Sequence, residues 1–204
     1  MTPLLVDGPR DAAVTLLLAH GAGAGMEHAW MASMAELLAA RGLRVVRFEF
    51  PYMAARREGR RPGPDRMPKL LTCYREVLDQ QHAPVVLAGK SMGGRAATML
   101  ADDVDCAGVV AFGYPFHPPG KPDNLRTAHL ETLKTRALIL QGERDPFGTP
   151  EEVASYPLSD AVTVRWVDDG DHSLQPRKRS GATLEGNLTT AADAAVAFCL
   201  EVTG

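Results

Sequence analysis

The sequence predicts an α/β fold, a mostly parallel β-sheet with helices on both faces, and three observations lead to it. Apolar, β-rich runs alternate in regular order with helix-compatible stretches, which implies parallel strands joined by right-handed crossovers. Several of those runs are apolar throughout rather than at every second residue, as strands covered on both faces are. Near the C-terminus Leu188, Ala192, Ala195, Cys199 and Val202 recur at helical spacing and form one core-facing stripe.

Strands are expected over residues 14–20, 44–50, 84–88, 108–112, 137–141 and 162–167, and helices over 28–41, 68–81, 92–102, 125–134, 151–156 and 188–202. Residues 51–67 and 114–124 are rich in Pro and Gly and read as irregular. Nothing repeats internally. A chain of 204 residues buries roughly 70% of its unfolded surface as one domain, so residues 1–204 are read as a single domain without staples.

Composition narrows the function. Hydrophobic content of 45% and charged content of 23% are ordinary for a globular protein. A net charge of −3 does not favour nucleic acid as a partner of the whole surface. Cys73, Cys106 and Cys199 are far apart, with no metal-ligand spacing, which suits reduced thiols in the cytoplasm. The N-terminus lacks the basic and long apolar regions of a signal peptide, and the apolar run at 14–19 is too short to span a bilayer. No membrane association is expected. Oligomeric state is not legible.

In a parallel sheet the loops leaving the C-terminal strand ends share one edge, where ligands bind. Glycine turns on that edge carry the informative motifs. After the first strand comes His20-Gly21-Ala22-Gly23-Ala24-Gly25-Met26. A dinucleotide fingerprint would need glycine where Met26 stands. Gly89-Lys90-Ser91 resembles the end of a phosphate loop, but that loop needs a further glycine where Pro84 stands. The better match is Gly89-Lys90-Ser91-Met92-Gly93, a G-x-S-x-G turn between an expected strand and an expected helix. Such a turn lifts a serine hydroxyl clear of the backbone, and its glycines let strand and helix approach.

A serine hydroxyl is a poor nucleophile at neutral pH and needs a base oriented by a carboxylate. On this architecture the chain order is serine, acid, histidine. Asp145 follows the strand at 137–141, with Glu143 as a rival acid, and His172 follows the strand at 162–167. His82 lies at the wrong sheet edge, and His129 lies inside a helix candidate. The backbone N–H groups of Ala22 and Met92 are placed to meet a developing oxyanion. His20 and Gly21 at the glycine turn, His117 and Lys121 after the strand at 108–112, and Phe147 are candidates for substrate contact. Met26, Trp30 and Met53 are candidate apolar walls, and His28 could line or cap.

The stretches His20–Gly25, Gly89-Lys90-Ser91-Met92-Gly93-Gly94-Arg95, Tyr114-Pro115-Phe116-His117-Pro118-Pro119-Gly120-Lys121-Pro122, Gln141-Gly142-Glu143-Arg144-Asp145-Pro146-Phe147-Gly148 and Gly170-Asp171-His172-Ser173 span most of the chain. With them the sequence resembles the α/β-hydrolase superfamily, and within it the small KANL3/Tex30-like hydrolases related to dienelactone hydrolase. The resemblance implies an α/β-hydrolase fold with a minimal lid, Ser91 as nucleophile, Asp145 as acid, His172 as base, and no metal or organic cofactor. Dienelactone hydrolases proper use cysteine where this chain has Ser91, so their specific reaction does not carry over. The expected reaction is hydrolysis of a small ester, thioester or related acyl compound. An acyltransferase, or an interaction module that keeps the fold without turnover, are the competing readings. Arg56, Arg57, Arg60, Arg61 and Arg66, with Arg177, Lys178 and Arg179, fall in loops on the same edge and suggest an anionic substrate or partner.

Overall fold

The computed structural model describes residues 2–82 and 84–204. Its sheet has seven strands in the order β1-β3-β2-β4-β5-β6-β7. These are β1 (Leu4–Asp7), β2 (Thr15–Ala19), β3 (Arg44–Phe48), β4 (Val85–Lys90), β5 (Gly108–Phe112), β6 (Ala137–Gly142) and β7 (Val162–Val167). All neighbours pair in parallel except β1, which runs antiparallel to β3. The expected strands are all present, displaced by a residue or two at their ends, where hydrogen bonding frays.

Helices cover both faces, as the continuously apolar strands require. On one side Leu16 and Leu18 of β2 pack with α1 (Ala29–Ala39) and α6 (Leu184–Thr203). On the other, Leu17 and Ala19 pack with α2 (Pro51–Arg57), α3 (Met67–Leu78) and α4 (Met92–Leu100). A strand's period of two thus feeds two cores from one apolar run. The outer strand β7 is only partly buried and alternates in exposure. Among the described residues no helix is long and apolar enough to cross a membrane.

Four elements differ from expectation. β1 was not expected, because four residues carry no readable period. It is held at the sheet edge by Arg47, whose Nε and Nη2 donate to the two oxygens of Asp7 at 2.9 and 3.0 Å. Residues 51–57 form α2 although Pro and Gly crowd the segment. Pro51 occupies the first turn, where its missing N–H costs nothing, and the Asp65 carboxylate accepts from the next free amide, Tyr52 N–H, at 2.8 Å. The helix expected at 125–134 is absent. Its Leu130 carbonyl accepts from Ser159 N–H, and its Leu133 carbonyl from the Ser159 hydroxyl. The Lys134 N–H, which would close the last turn on Leu130, donates instead to the Asp102 carboxylate at 3.0 Å. His129 therefore lies in a turn, not a helix. The short helix expected at 151–156 is trimmed to α5 (Pro150–Val153), started by a capping box between Thr149 and Glu152.

The glycines flanking Ser91 are required by close approach. A Cβ on Gly93 would lie 2.5 Å from the Ala19 carbonyl oxygen and 2.7 Å from that of His20. Both obstacles are backbone, at the end of β2 and one residue past it, which cannot rotate away. Gly93→Ala is therefore expected to destabilise the fold by about 1–3 kcal/mol, read as a lower urea midpoint at unchanged slope. A midpoint equal to wild type would show that the helix does not sit this close to β2.

Candidate active site

Ser91 sits between the end of β4 and the first residue of α4, at φ 53° and ψ −114°. This is a left-handed conformation that non-glycine residues rarely adopt. Strain of this kind persists only where the surroundings hold it. Here the Ser91 amide donates to the Phe112 carbonyl at 2.9 Å, and its carbonyl accepts from Arg95 N–H at 3.0 Å. Strand β5 and helix α4 thus pin the turn from both sides.

His172 comes from the loop after β7, which reverses twice through left-handed non-glycine residues, Asp169 and Leu174. The Asp171 carboxylate braces the tip by accepting from Ser173 and Gln175 N–H at 2.7 and 3.0 Å. Three successive carbonyls of the loop are each held by a side chain from a different element. Lys90 Nζ donates to the His172 carbonyl, Trp30 Nε1 to that of Ser173 at 3.0 Å, and Asn187 Nδ2 to that of Leu174 at 2.9 Å. The imidazole also stacks on Phe147, with ring centroids 4.1 Å apart.

These supports bring three polar side chains into line. His172 Nε2 lies 2.8 Å from Ser91 Oγ, and His172 Nδ1 lies 2.8 Å from Asp145 Oδ2. An ionised carboxylate only accepts, so Nδ1 carries the proton and Nε2 is left to accept from the serine hydroxyl. Asp145 is wholly buried. Its Oδ1 accepts from Phe147 N–H at 2.9 Å and its Oδ2 from Gln141 Nε2 at 2.9 Å. Gln141 cannot flip, because its Oε1 accepts from Tyr114 N–H at 2.7 Å. Glu143, the rival acid, is turned away and accepts from Asp169 N–H.

A cavity of about 300 Å³ opens over Ser91. Gly21, Ala22 and Ala24 of the glycine turn form one wall, and Trp30 and Met31 of α1 another. Phe147 and His172 close the third side, and His28 and Lys90 add polar groups. His28 also caps α1, its Nδ1 accepting from Trp30 N–H at 3.3 Å. The Ala22 and Met92 amides have no acceptor among the described residues, and Met92 is the first residue of α4, where helical N–H groups are free.

Several expected substrate contacts lie elsewhere. His20 is fully buried beneath the turn. Its Nε2 accepts from Phe50 N–H at 3.1 Å, so its Nδ1 donates to the Gly21 carbonyl at 2.7 Å. Burial lowers its pKa, favouring this neutral form. His20 shapes the turn and does not wall the cavity. Tyr52 helps, its hydroxyl lying 3.2 and 3.0 Å from the Gly21 and Ala22 carbonyls. His117 is buried with its Nε2 3.3 Å from Glu152, beside α5, and Lys121 is exposed on a distant turn. Neither lines the cavity. Met26 and Met53 are buried core residues rather than walls.

The arginine clusters do not line it either. Arg57 pairs with Glu49 and Glu27, Arg60 with Glu58, and Arg177 with Asp169, which is held down at about 2 by that partner. Arg56 lies over the Tyr52 ring and donates to the Pro62 carbonyl. Arg57, Arg60 and Arg177 are thus paired, whereas Arg61, Arg66, Lys178 and Arg179 meet no carboxylate among the described residues.

Sequence reasoning missed Gln141, Tyr52 and Lys90. Gln141 had a weak signal, an amide at a strand end that should be wholly apolar. Among the described residues no three His, Cys, Asp or Glu side chains cluster as metal ligands.

A family model described as an alpha/beta hydrolase domain matches residues 12–200. An alpha-beta serine hydrolase homologue from Coxiella burnetii superposes with a TM-score of 0.72 at 19% identity, covering 96% of this chain and 90% of that one. A dienelactone hydrolase from Anabaena variabilis gives a TM-score of 0.72 at 22% identity, with 97% and 90% covered. A serine hydrolase without a lid from Xanthomonas campestris gives 0.66 at 19% identity, with 94% and 88% covered. At these identities the likeness is one of fold.

Proposed function

This chain belongs to the alpha/beta hydrolase domain family, and from that premise we propose that it is a serine hydrolase of small esters, thioesters or related acyl compounds. The observation that carries the reading is the unbroken hydrogen-bonded line from Ser91 Oγ through His172 to buried Asp145. In the proposed reaction Ser91 Oγ attacks the acyl carbon as His172 Nε2 takes its proton. Asp145 holds the imidazole in the required tautomer and stabilises the imidazolium. The Ala22 and Met92 N–H groups receive the negative charge on the acyl oxygen, worth about 3 kcal/mol of barrier each. His172 then protonates the leaving group, and a water activated by the same imidazole releases the acid and restores Ser91.

Size and polarity of the cavity support a small acyl group. About 300 Å³ is at the low end for ligand pockets, and alanine, tryptophan, methionine and phenylalanine dominate its walls. Incubation with a fluorophosphonate should add one adduct, on Ser91, visible in the intact mass. Among p-nitrophenyl esters, kcat/KM should peak at acetate to butyrate and fall at least tenfold by dodecanoate, as each misplaced apolar segment costs binding. An unlabelled wild-type protein would overturn the enzymatic reading in favour of a binding module.

A further inference from the structure

Lys90 precedes Ser91 in the chain, yet its side chain reaches the opposite partner of the site. Its Nζ donates to the His172 carbonyl and stands 5.5 Å from the centre of the Trp30 ring. Trp30 in turn holds the next carbonyl of the same loop, that of Ser173, at 3.0 Å. The lysine and tryptophan therefore form one strut, braced face to head, whose two ends grip adjacent peptides of the histidine loop. Gly113, at φ 63°, makes room for it. A Cβ there would come within 2.9 Å of Lys90 Nζ and 3.3 Å of His172 Nδ1.

A buried ammonium is an expensive way to hold a carbonyl. Lys90 is only 9% exposed and, among the described residues, has no carboxylate in hydrogen-bond contact. Burial brings its pKa down to about 8, with Asp145 and Asp171 nearby opposing that shift. A methionine would fill the same space without the cost of burying charge. A buried charge beside the nucleophile, held on a carbonyl and a ring face rather than on a carboxylate, points to function rather than stability.

We propose that Lys90 is a positioning residue which, through its strut with Trp30, sets the distance and angle between the Ser91 hydroxyl and the His172 imidazole. Because it is covalently next to one of them and hydrogen-bonded to the other, any shift of the turn is transmitted to the histidine loop. This rests on Ser91 and His172 acting together as described under Proposed function.

Lys90→Met is the test. The fluorophosphonate inactivation rate should fall roughly ten- to a hundredfold, the expected result of a misplacement near 1 Å, while the concentration giving half the maximal rate changes less than about twofold. The melting temperature should hold or rise, whereas a merely structural lysine would lower it along with activity. Lys90→Cys treated with 2-bromoethylamine, which rebuilds a lysine-like amine, should recover the rate, with identically treated wild type as control. The strongly downfield proton resonance of the His172–Asp145 hydrogen bond should be sharp in wild type and broadened or lost in Lys90→Met. A Lys90→Met protein that reacts at the wild-type rate and keeps that resonance overturns the proposal. If wild type itself is not labelled, the hydrolase reading fails while the resonance still decides whether Lys90 positions His172.

Discussion

Ser91→Ala should abolish fluorophosphonate labelling and reduce kcat by about six orders of magnitude, the loss seen when a nucleophile that works as part of a unit is removed. The fold should be unaffected. Alanine keeps the Cβ, and the strained turn is held by backbone bonds to Phe112 and Arg95 that do not involve the hydroxyl. Residual turnover above water would come from the Ala22 and Met92 amides and from substrate binding, which the substitution leaves in place. Steady-state rates with the best short ester, alongside urea unfolding, check both halves. A variant retaining more than about a thousandth of wild-type kcat would mean that another group attacks.

Asp145→Asn should lower kcat by about four orders of magnitude with little change in substrate affinity. The carboxylate accepts on both oxygens, from Phe147 N–H on one and from His172 Nδ1 and Gln141 Nε2 on the other. An amide has only one acceptor. If its oxygen stays with Phe147, its NH2 confronts both Gln141 Nε2 and His172 Nδ1, and the second contact forces the tautomer in which Nε2 carries hydrogen and cannot take the serine proton. If it flips, the NH2 faces the Phe147 N–H and two donors meet in a buried place, a cost of about 1–3 kcal/mol in stability. Either way two buried donors meet, so a lower urea midpoint is expected; a pH series on protein still folded at the assay temperature isolates the tautomer, which lowers the rate at every pH. Activity within tenfold of wild type would remove Asp145 from the mechanism.

The Lys90 strut, the Gln141 clamp and the His20 anchor share a design. Each reacting group sits on a loop, and each loop is tied by side chains from strands or helices packed in the core. The tying residues are buried and polar, and their bonds go to backbone, with Gln141 also holding the Asp145 carboxylate. That arrangement holds loop residues within a few tenths of an ångström without lengthening any strand.

Local chemistry made much of this legible in the linear chain. Continuous apolar runs announced strands covered on both faces, and the spacing of Leu188 through Val202 announced α6. The turn at Ser91 was readable because Gly89 answers a local steric demand, a Cβ there colliding with the Gly93 and Gly94 backbone. The order of Ser91, Asp145 and His172 followed from their places after β4, β6 and β7, since parallel strands bring all such loops to one edge. Tertiary structure decided the rest. The pairing of β1 depends on Arg47, forty residues away, and α2 depends on Asp65 closing over a proline start. His117, Lys121 and the arginines lay on plausible loops, but which loop residues turn toward the cavity is set by long-range packing. The partner of Lys90 is 82 residues distant. Periodicity and sterics act between neighbours and are written in order along the chain, whereas convergence of side chains depends on how the sheet twists and the helices dock, which no short stretch encodes.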